Sequence, residues 1–265
     1  GDAFNKILHA KSINELRALN FFKSVDAEVV EGSTKNSKII NIEVEEKPTG
    51  EISAGAGFGT SGSTIGFAVK ENNFLGRGIQ FSTNLELSYE SIRGMFSVVN
   101  PNFRGSDQSL FTTIQSSETN RLADFGYKTT KTGFTLGSRF EYYEKVFLSP
   151  SVTTYYESLK VDSTASSTLE KQKGTYFDTD LNYLIDYDKR NQKYQTTEGF
   201  ISKFNQSIPI VSENSSILNG YEIDSYHELT DGMIGSFSFY TKTIHSITGD
   251  DVRISERLYM PSGRL

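Results

Sequence analysis

The chain has 265 residues, a formal net charge of −6 and no cysteine, and it is rich in phenylalanine (19) and tyrosine (14). The acidic balance argues against a nucleic-acid partner, because phosphate binding needs a basic face. Mean hydropathy is −0.42, and no run of about 18 apolar residues is present, which excludes a transmembrane helix. Transmembrane β-strands are not excluded, since lipid-facing and lumen-facing residues alternate along them and average to low hydropathy.

The first 47 residues are typical of a small α/β unit. Asp2 is placed to cap a helix and Asn20 to end it, because asparagine tolerates the left-handed conformation found at helix ends. Two strands follow at Val25–Glu31 and Lys38–Glu46, and the turn Gly32–Asn36 between them predicts a hairpin. The apolar residues at helical spacing are Phe4, Ile7, Leu8, Ile13, Leu16 and Leu19.

After a break at Pro48–Gly50, apolar and polar residues alternate with a period of two, the pattern of β-strands with two different faces. The alternation is clearest in Ile79–Glu90 and Tyr176–Asp188. We count roughly eleven such strands of about 9–12 residues, a length that crosses a bilayer when the strand is tilted. Tight links such as Arg104–Asp107 alternate with longer polar loops such as Val161–Gly174, which is the habit of outer-membrane barrels.

Alternation alone does not show which face of the sheet points outward. In a soluble β-sandwich or a lipocalin-like barrel, the apolar rows would form the core and the charged rows would meet water. Two features favour a membrane. Phenylalanine and tyrosine are frequent near strand ends, as in an aromatic girdle, and the strands are longer than the usual five or six residues of soluble proteins.

Paired carboxylates on single strands are candidates for acid–base catalysis. Asp178 and Asp180, and likewise Asp186 and Asp188, share one strand face, and the row Glu222–Glu228 follows the same pattern. Acid–base catalysis needs carboxylates that face each other across a cleft with different pKa values. Neighbours on one strand face favour the lining of a wet lumen instead, so we do not expect an enzyme.

Sequence motifs for cofactors and metals give the same answer. Gly57–Gly62 matches G-x-G-x-x-G, but a strand follows it where a dinucleotide site needs a helix, which favours a glycine-rich strand and turn. The three histidines, His9, His227 and His245, lie on separate segments without ligand spacing. We therefore predict no cofactor and no metal site.

Several stretches together resemble β-barrel assembly factors of the BamA type, in the bacterial outer-membrane surface-antigen superfamily. The resemblance covers nearly the whole chain, and the first periplasmic turn is its most specific motif. In chain order, the stretches are Leu19–Val25 and Val44–Gly50 (the last POTRA domain and its exit), Glu71–Gly78 (the first periplasmic turn), Asp188–Arg190 with Thr197–Gly199 (a later turn) and Arg257–Leu265 (the approach to loop six).

The resemblance implies a mainly β fold: an incomplete antiparallel transmembrane β-barrel, about eleven of sixteen strands, preceded by a partial α/β POTRA domain. Residues 1–47 would be the C-terminal part of that domain, and residues 48–265 the N-terminal part of the barrel. Asn20 replaces the usual glycine, and Thr196 or Thr197 the usual proline. Since Leu265 ends the chain where the family places Arg-Gly-Phe, we expect a fragment whose edge strands cannot close a barrel.

The function that the resemblance implies is insertion of other β-barrels into the bacterial outer membrane, without covalent chemistry. Unfolded outer-membrane proteins would be the substrates, lipoproteins of an assembly complex would bind the POTRA domain, and outer-membrane lipids would surround the barrel. An incoming strand would pair with the first barrel strand by β-augmentation. Glycines there would weaken packing at a seam that opens, although they could equally allow close backbone approach inside the barrel. The expected pairing residues are Gly50, Ile52, Ala54, Gly55, Gly57 and Gly59.

The remaining residues carried over from the family shape turns and loops rather than a chemical site. The turn residues are Asn72, Asn73, Phe74, Leu75, Gly76, Gly78, Asp188, Arg190 and Gly199, and the start of loop six carries Pro261, Gly263 and Leu265.

Three other functions stay open at the level of sequence. A transporter of the same superfamily, for two-partner or autotransporter secretion, would have a similar barrel. A passive porin or surface antigen is disfavoured by the POTRA-like start, and a barrel enzyme such as a phospholipase lacks a serine–histidine pair at suitable spacing.

Overall fold

The computed structural model describes residues 4–34, 37–59, 62–163, 165–193, 195–213 and 215–258. Within these residues, thirteen strands form a two-stranded and an eleven-stranded sheet, and every strand is antiparallel to its neighbours. No helix in these ranges is long and apolar enough to cross a membrane. The mainly β prediction is therefore confirmed.

The N-terminal unit consists of helix α1 (Lys6–Ala18) and a hairpin of strands β1 (Phe22–Glu31) and β2 (Lys38–Glu46). The side chain of Asn5 caps α1 by accepting from the amide of Ile7 at 2.8 Å. The prediction of a cap at Asp2 is wrong, because Asn5 provides the cap one residue before the helix begins; Asp2 itself lies outside the described residues.

The end of α1 and the hairpin follow the sequence pattern. Asn20 has a φ of 60°, the left-handed conformation predicted for it. The hairpin has the predicted strands, although Lys35 and Asn36 of its turn lie outside the described residues. The unit buries little apolar surface, because Ile13 on α1 and Val25 on β1 are the only buried residues in its described ranges, 4–34 and 37–47.

The eleven-stranded sheet places its strands in sequence order, so each strand pairs with the next along the chain. The predicted count is confirmed, and β3, β5 and β6, with 10 residues each, have the predicted length, whereas the other eight strands have 13–17 residues and exceed it. The sheet is open, with the first and last strands at its edges. Its strands are β3 (Gly50–Gly59), β4 (Gly62–Phe74), β5 (Ile79–Ser88), β6 (Ser91–Asn100), β7 (Ser109–Arg121), β8 (Tyr127–Tyr143), β9 (Val146–Val161), β10 (Gly174–Asp188), β11 (Gly199–Val211), β12 (Ser216–Thr230) and β13 (Met233–Ser246).

Short and long links occur at both ends of the sheet, which corrects the prediction that length alternates between the ends. The long link 189–198 lies at the same end as the tight turns 144–145 and 231–232. At the opposite end, helix α2 (Leu122–Phe125) and helix α3 (Ser167–Glu170) fold the links from β7 to β8 and from β9 to β10.

In β8, β9 and β10 the polar face of the large sheet holds buried residues, while the apolar face of the sheet is exposed. Phe96, Ile114 and Phe134 are direct neighbours across β6, β7 and β8, and each is 44–48% exposed. On the opposite face, which we call the inner face, Glu157 and Asp178 are at most 4% exposed. A soluble β-sandwich or lipocalin-like barrel would have the reverse arrangement, so this alternative is excluded, and the pattern is that of a transmembrane barrel.

Close packing on the inner face requires glycine in β8. A Cβ atom on Gly137 would lie 2.4 Å from Cζ of Phe111, 2.5 Å from Cβ of Ser151 and 2.8 Å from the carbonyl oxygen of Pro150. In contrast, a Cβ atom on Gly66 in β4 would meet no heavy atom within 4 Å. Of these two positions, only Gly137 must be glycine to avoid a steric clash.

Substitution of Gly137 by alanine should destabilise the folded sheet by about 1–3 kcal/mol, the usual result of overpacking. Gly66→Ala should leave the free energy of unfolding nearly unchanged, because its methyl group enters open space. Urea unfolding in lipid vesicles, followed by circular dichroism, measures both. Equal stability of the two variants would contradict the requirement for space at Gly137.

Candidate functional site

Strand β3 presents an unpaired backbone edge. Its ladder to β4 runs from the pair Gly50 and Glu71 to the pair Gly59 and Gly62, and no strand among the described residues occupies its other side. In an antiparallel strand, alternate residues direct both N–H and C=O to the same side. The free side of β3 is therefore a template for another strand. All the predicted pairing residues lie in β3: Gly50, Ile52, Ala54, Gly55, Gly57 and Gly59.

The glycines of β3 leave the strand with few side-chain contacts. A Cβ atom on Gly55 or Gly57 would meet no heavy atom within 4 Å, and Gly55 pairs with another glycine, Gly66. The described residues thus hold no close backbone approach that these glycines would serve. Of the two roles predicted for these glycines, weak packing at a seam fits the structure and close backbone approach does not. Glycine contributes no side chain to cross-strand contacts, so the edge is weakly packed.

The first family-type turn is held by its own backbone and by one asparagine. Leu75, Gly76 and Gly78 have φ values of 55°, 69° and 66°, so the turn requires left-handed conformations that glycine adopts without strain. The side-chain oxygen of Asn73 accepts from the amide of Gly78 at 2.7 Å, and the backbone carbonyl of Asn73 accepts from the amide of Gly76 at 3.0 Å. Phe74 ends β4 beside this network.

The second family-type turn depends on an ion pair. Asp188 accepts from Nε and Nη2 of Arg190 at 2.9 and 2.7 Å, and this hydrogen bonding raises the pKa of Arg190, so the cation is retained. Gly199 has a φ of 98°, and a Cβ atom there would lie 2.2 Å from the carbonyl oxygen of Lys189. Only glycine fits this position. The loop-six residues Pro261, Gly263 and Leu265 lie outside the described residues.

An arginine after β13 is fully buried on the inner face. Arg253 is 1% exposed, and its guanidinium contacts Asp178 at 2.7 Å, Glu157 at 3.2 Å and Glu256 at 3.2 Å. The guanidinium carbon also lies 4.2 Å from the ring centroid of Tyr176. Two strands and the segment 251–258 thus converge on one cation.

A second layer of contacts holds the same segment. Lys131 lies 4.0 Å from Glu157, its cross-strand neighbour, and 3.8 Å from Glu256. The amide of Ile254 donates to Gln172 in the β9–β10 link at 2.9 Å. Charge and backbone hydrogen bonding therefore fix residues 253–256 against the inner face, under the links that contain α2 and α3.

The inner face carries a solvent-open cavity of about 550 Å³ beside this cluster, lined by both polar and apolar side chains. Carboxylate, amide, hydroxyl and phenol groups line it, as expected for the wet lumen of a barrel. The described residues contain no group of three or more histidine, cysteine or acidic side chains arranged to hold a metal ion. Residues at the cavity wall include Lys131, Tyr155, Asp180, Asn182, Gln206 and Glu256.

Sequence alternation placed the acids on this face but missed their partners. Asp178 and Asp186 are buried there, as their strand parity indicates, and Asp186 pairs with both terminal nitrogens of Arg139. Lys131 and Glu157 alternate with outward-facing residues in the same way, so their place on the inner face can be recognised once the strand register is known. Arg253 follows the last strand, so no periodic signal marks it.

Comparison with known proteins identifies the family. Residues 73–263 match the Omp85 superfamily domain. The chain belongs to the Omp85 superfamily. Proteins of the Omp85 superfamily are β-barrels of the bacterial outer membrane, which agrees with the exposed apolar face and polar inner face.

Individual Omp85 relatives are more distant. A "Putative outer membrane protein assembly factor" from Treponema pallidum (strain Nichols) is 32% identical over 97 residues, covering 34% of this chain and 12% of that protein. The fold is similar to BamA from Haemophilus ducreyi lacking POTRA domains 1–3, with a TM-score of 0.79, 19% identity and coverage of 97% of this chain and 52% of that one. CdiB from Escherichia coli gives a TM-score of 0.58, 13% identity and coverage of 96% and 50%. The chain thus spans about half the length of these solved relatives.

Replacing Arg253 by alanine should cost about 3–5 kcal/mol of stability, because buried carboxylates would lose their shared cation. Arg93→Ala is the matched control, since this exposed arginine lies 4.0 Å from Glu86 and such pairs contribute about 0–1 kcal/mol. Urea midpoints of the two variants in lipid vesicles check this. An Arg253→Ala midpoint as close to wild type as that of Arg93→Ala would contradict it.

Proposed function

We propose that this chain belongs to a machine that inserts β-barrel proteins into the outer membrane, and that β3 is the strand to which a substrate strand adds. The proposal rests on the edge of β3, which has no partner strand among the described residues and is weakly packed because of its glycines. An incoming strand that pairs with this edge satisfies its own backbone groups before it meets lipid, where each unsatisfied group costs several kcal/mol. No bond is made or broken, so no cofactor is required.

The name of the relative from Treponema pallidum and the fold similarity to BamA support the assembly reading. In this proposal, α1, β1 and β2 are the C-terminal part of a POTRA domain on the periplasmic side. Unfolded outer-membrane proteins bind at β3, and lipoproteins of an assembly complex bind the POTRA unit. Outer-membrane lipids cover the exposed apolar rows.

Secretion by a two-partner transporter is the second candidate, supported by the similarity in fold to CdiB and by the cavity on the inner face. A secreted chain would pass along the inner face, where the segment held by Arg253 lies in the way. An inserted strand instead uses the outer edge of β3, which has no partner strand among the described residues. The two functions therefore place the substrate on different surfaces of the same sheet.

Replacing Gly55 and Gly57 together by valine should slow substrate insertion several-fold in the intact protein. β-Branched side chains stiffen a strand, so β3 would exchange partners less readily. Both side chains enter open space, and the sheet itself should remain folded. Insertion of a barrel substrate into vesicles containing the protein measures the rate.

Gly94→Val is the matched control, because a Cβ atom on Gly94 would meet only Cδ1 of Leu85, at 4.0 Å, and Gly94 lies in β6, which does not pair with β3 and has a neighbour on each side. It should insert substrate at the wild-type rate. A wild-type insertion rate for the Gly55→Val, Gly57→Val double variant would show that β3 does not limit the rate of insertion. If the double variant lost secretion instead, the transporter function would be favoured.

A further inference from the structure

The chain between the N-terminal unit and the sheet is fixed on both sides of Pro48. Before the proline, the amide of Lys47 donates to the carbonyl of Phe21 at 3.0 Å, and its ammonium donates to Asn20 at 2.6 Å. After it, Asn72 donates to the carbonyl of Thr49 at 3.2 Å. Proline also has a fixed φ. The connection therefore has little freedom of its own.

Glu71 is the centre of the contacts on the sheet side. Its Oε1 accepts from the hydroxyl of Thr49 and, at 2.7 Å, from the amide of Asn73, whose side chain in turn holds Gly78. Glu71 is also the ladder partner of Gly50, the first residue of β3. One carboxylate thus joins the linker, the start of β3 and the first turn.

One glycine, Gly50, makes room for this arrangement. A Cβ atom on Gly50 would lie 3.0 Å from the second oxygen of Glu71, a contact tighter than side chains normally make. A Cβ atom on Gly78 would lie 3.8 Å from the ring of Phe21, an ordinary van der Waals distance, so the Phe21 ring lies near the turn. The contacts that join the unit to the sheet therefore run through the linker and Glu71.

We propose that Glu71 is a positioning residue, which makes the N-terminal unit and the attached end of β3 move as one body. A load on the N-terminal unit, such as a bound partner, then reaches β3 at Gly50. At the opposite end of the strand the ladder closes with the glycine pair Gly59 and Gly62, which contributes no side chains, so opening begins there. We call this rigid connection between the N-terminal unit and β3 the joint. Its consequence for strand exchange rests on the proposed function, whereas the joint itself does not.

Spin labels measure the joint directly, because the chain has no native cysteine. One label replaces Lys11 on α1 and the other replaces Tyr142, both highly exposed, in the intact protein in vesicles. Glu71→Ala and Thr49→Val should each broaden the distance distribution. Both should also raise amide hydrogen exchange at residues 49–53 by about tenfold or more, the effect of losing a hydrogen bond to a charged group.

Glu71→Gln keeps an acceptor oxygen and should restore most of the order, while Glu28→Ala, on the exposed face of β1, should change nothing. Unchanged distances and exchange in both Thr49→Val and Glu71→Ala would overturn the joint. Thr49→Val keeps the test valid even if loss of the carboxylate prevents folding. Broadened distances with a wild-type insertion rate would retain the joint and overturn its role in insertion, independently of the Gly55 and Gly57 result.

Discussion

Backbone hydrogen bonding is the constraint on which the rest of this structure depends. In an apolar environment each N–H and C=O group must find a partner within the protein, and ten strand pairs in sequence order provide those partners across the sheet. The two outer strands are the places where this requirement is unmet among the described residues. A free edge is usually a liability that proteins block with charges or proline, but β3 carries glycines there, which suits a strand that changes partners.

The exposed apolar face forces the polar residues inward, and their charges must then be matched inside. Arg253, Lys131 and Arg139 do this for Glu157, Asp178, Glu256 and Asp186. Because a buried charge without a partner is costly, the position of the segment after β13 follows from the acids on β9 and β10. The contents of the lumen and the outer surface are thus consequences of the same alternation along each strand.

Much of the fold could be predicted from period and turn chemistry, because both are local. The eleven strands and the left-handed Asn20 follow from neighbouring residues, whereas the glycines of the two turns are expected from the family resemblance. The helix start was misplaced because Asp2 and Asn5 are both good caps, and pattern does not choose between them. Arg253 with Glu157, and Glu71 with Thr49, join residues far apart in sequence, so only the register and path of the chain reveal them.

Disulfide mapping between β3 and a substrate tests the central claim most directly. Single cysteines placed in turn at residues 52 to 57 of the intact protein, which has no other cysteine, would be combined with single cysteines along one edge strand of a barrel substrate during insertion. Strand addition predicts one register, in which each one-residue step along β3 moves the preferred partner by one residue along the substrate. Normal insertion without any disulfide to β3, or disulfides without a register, would contradict the account.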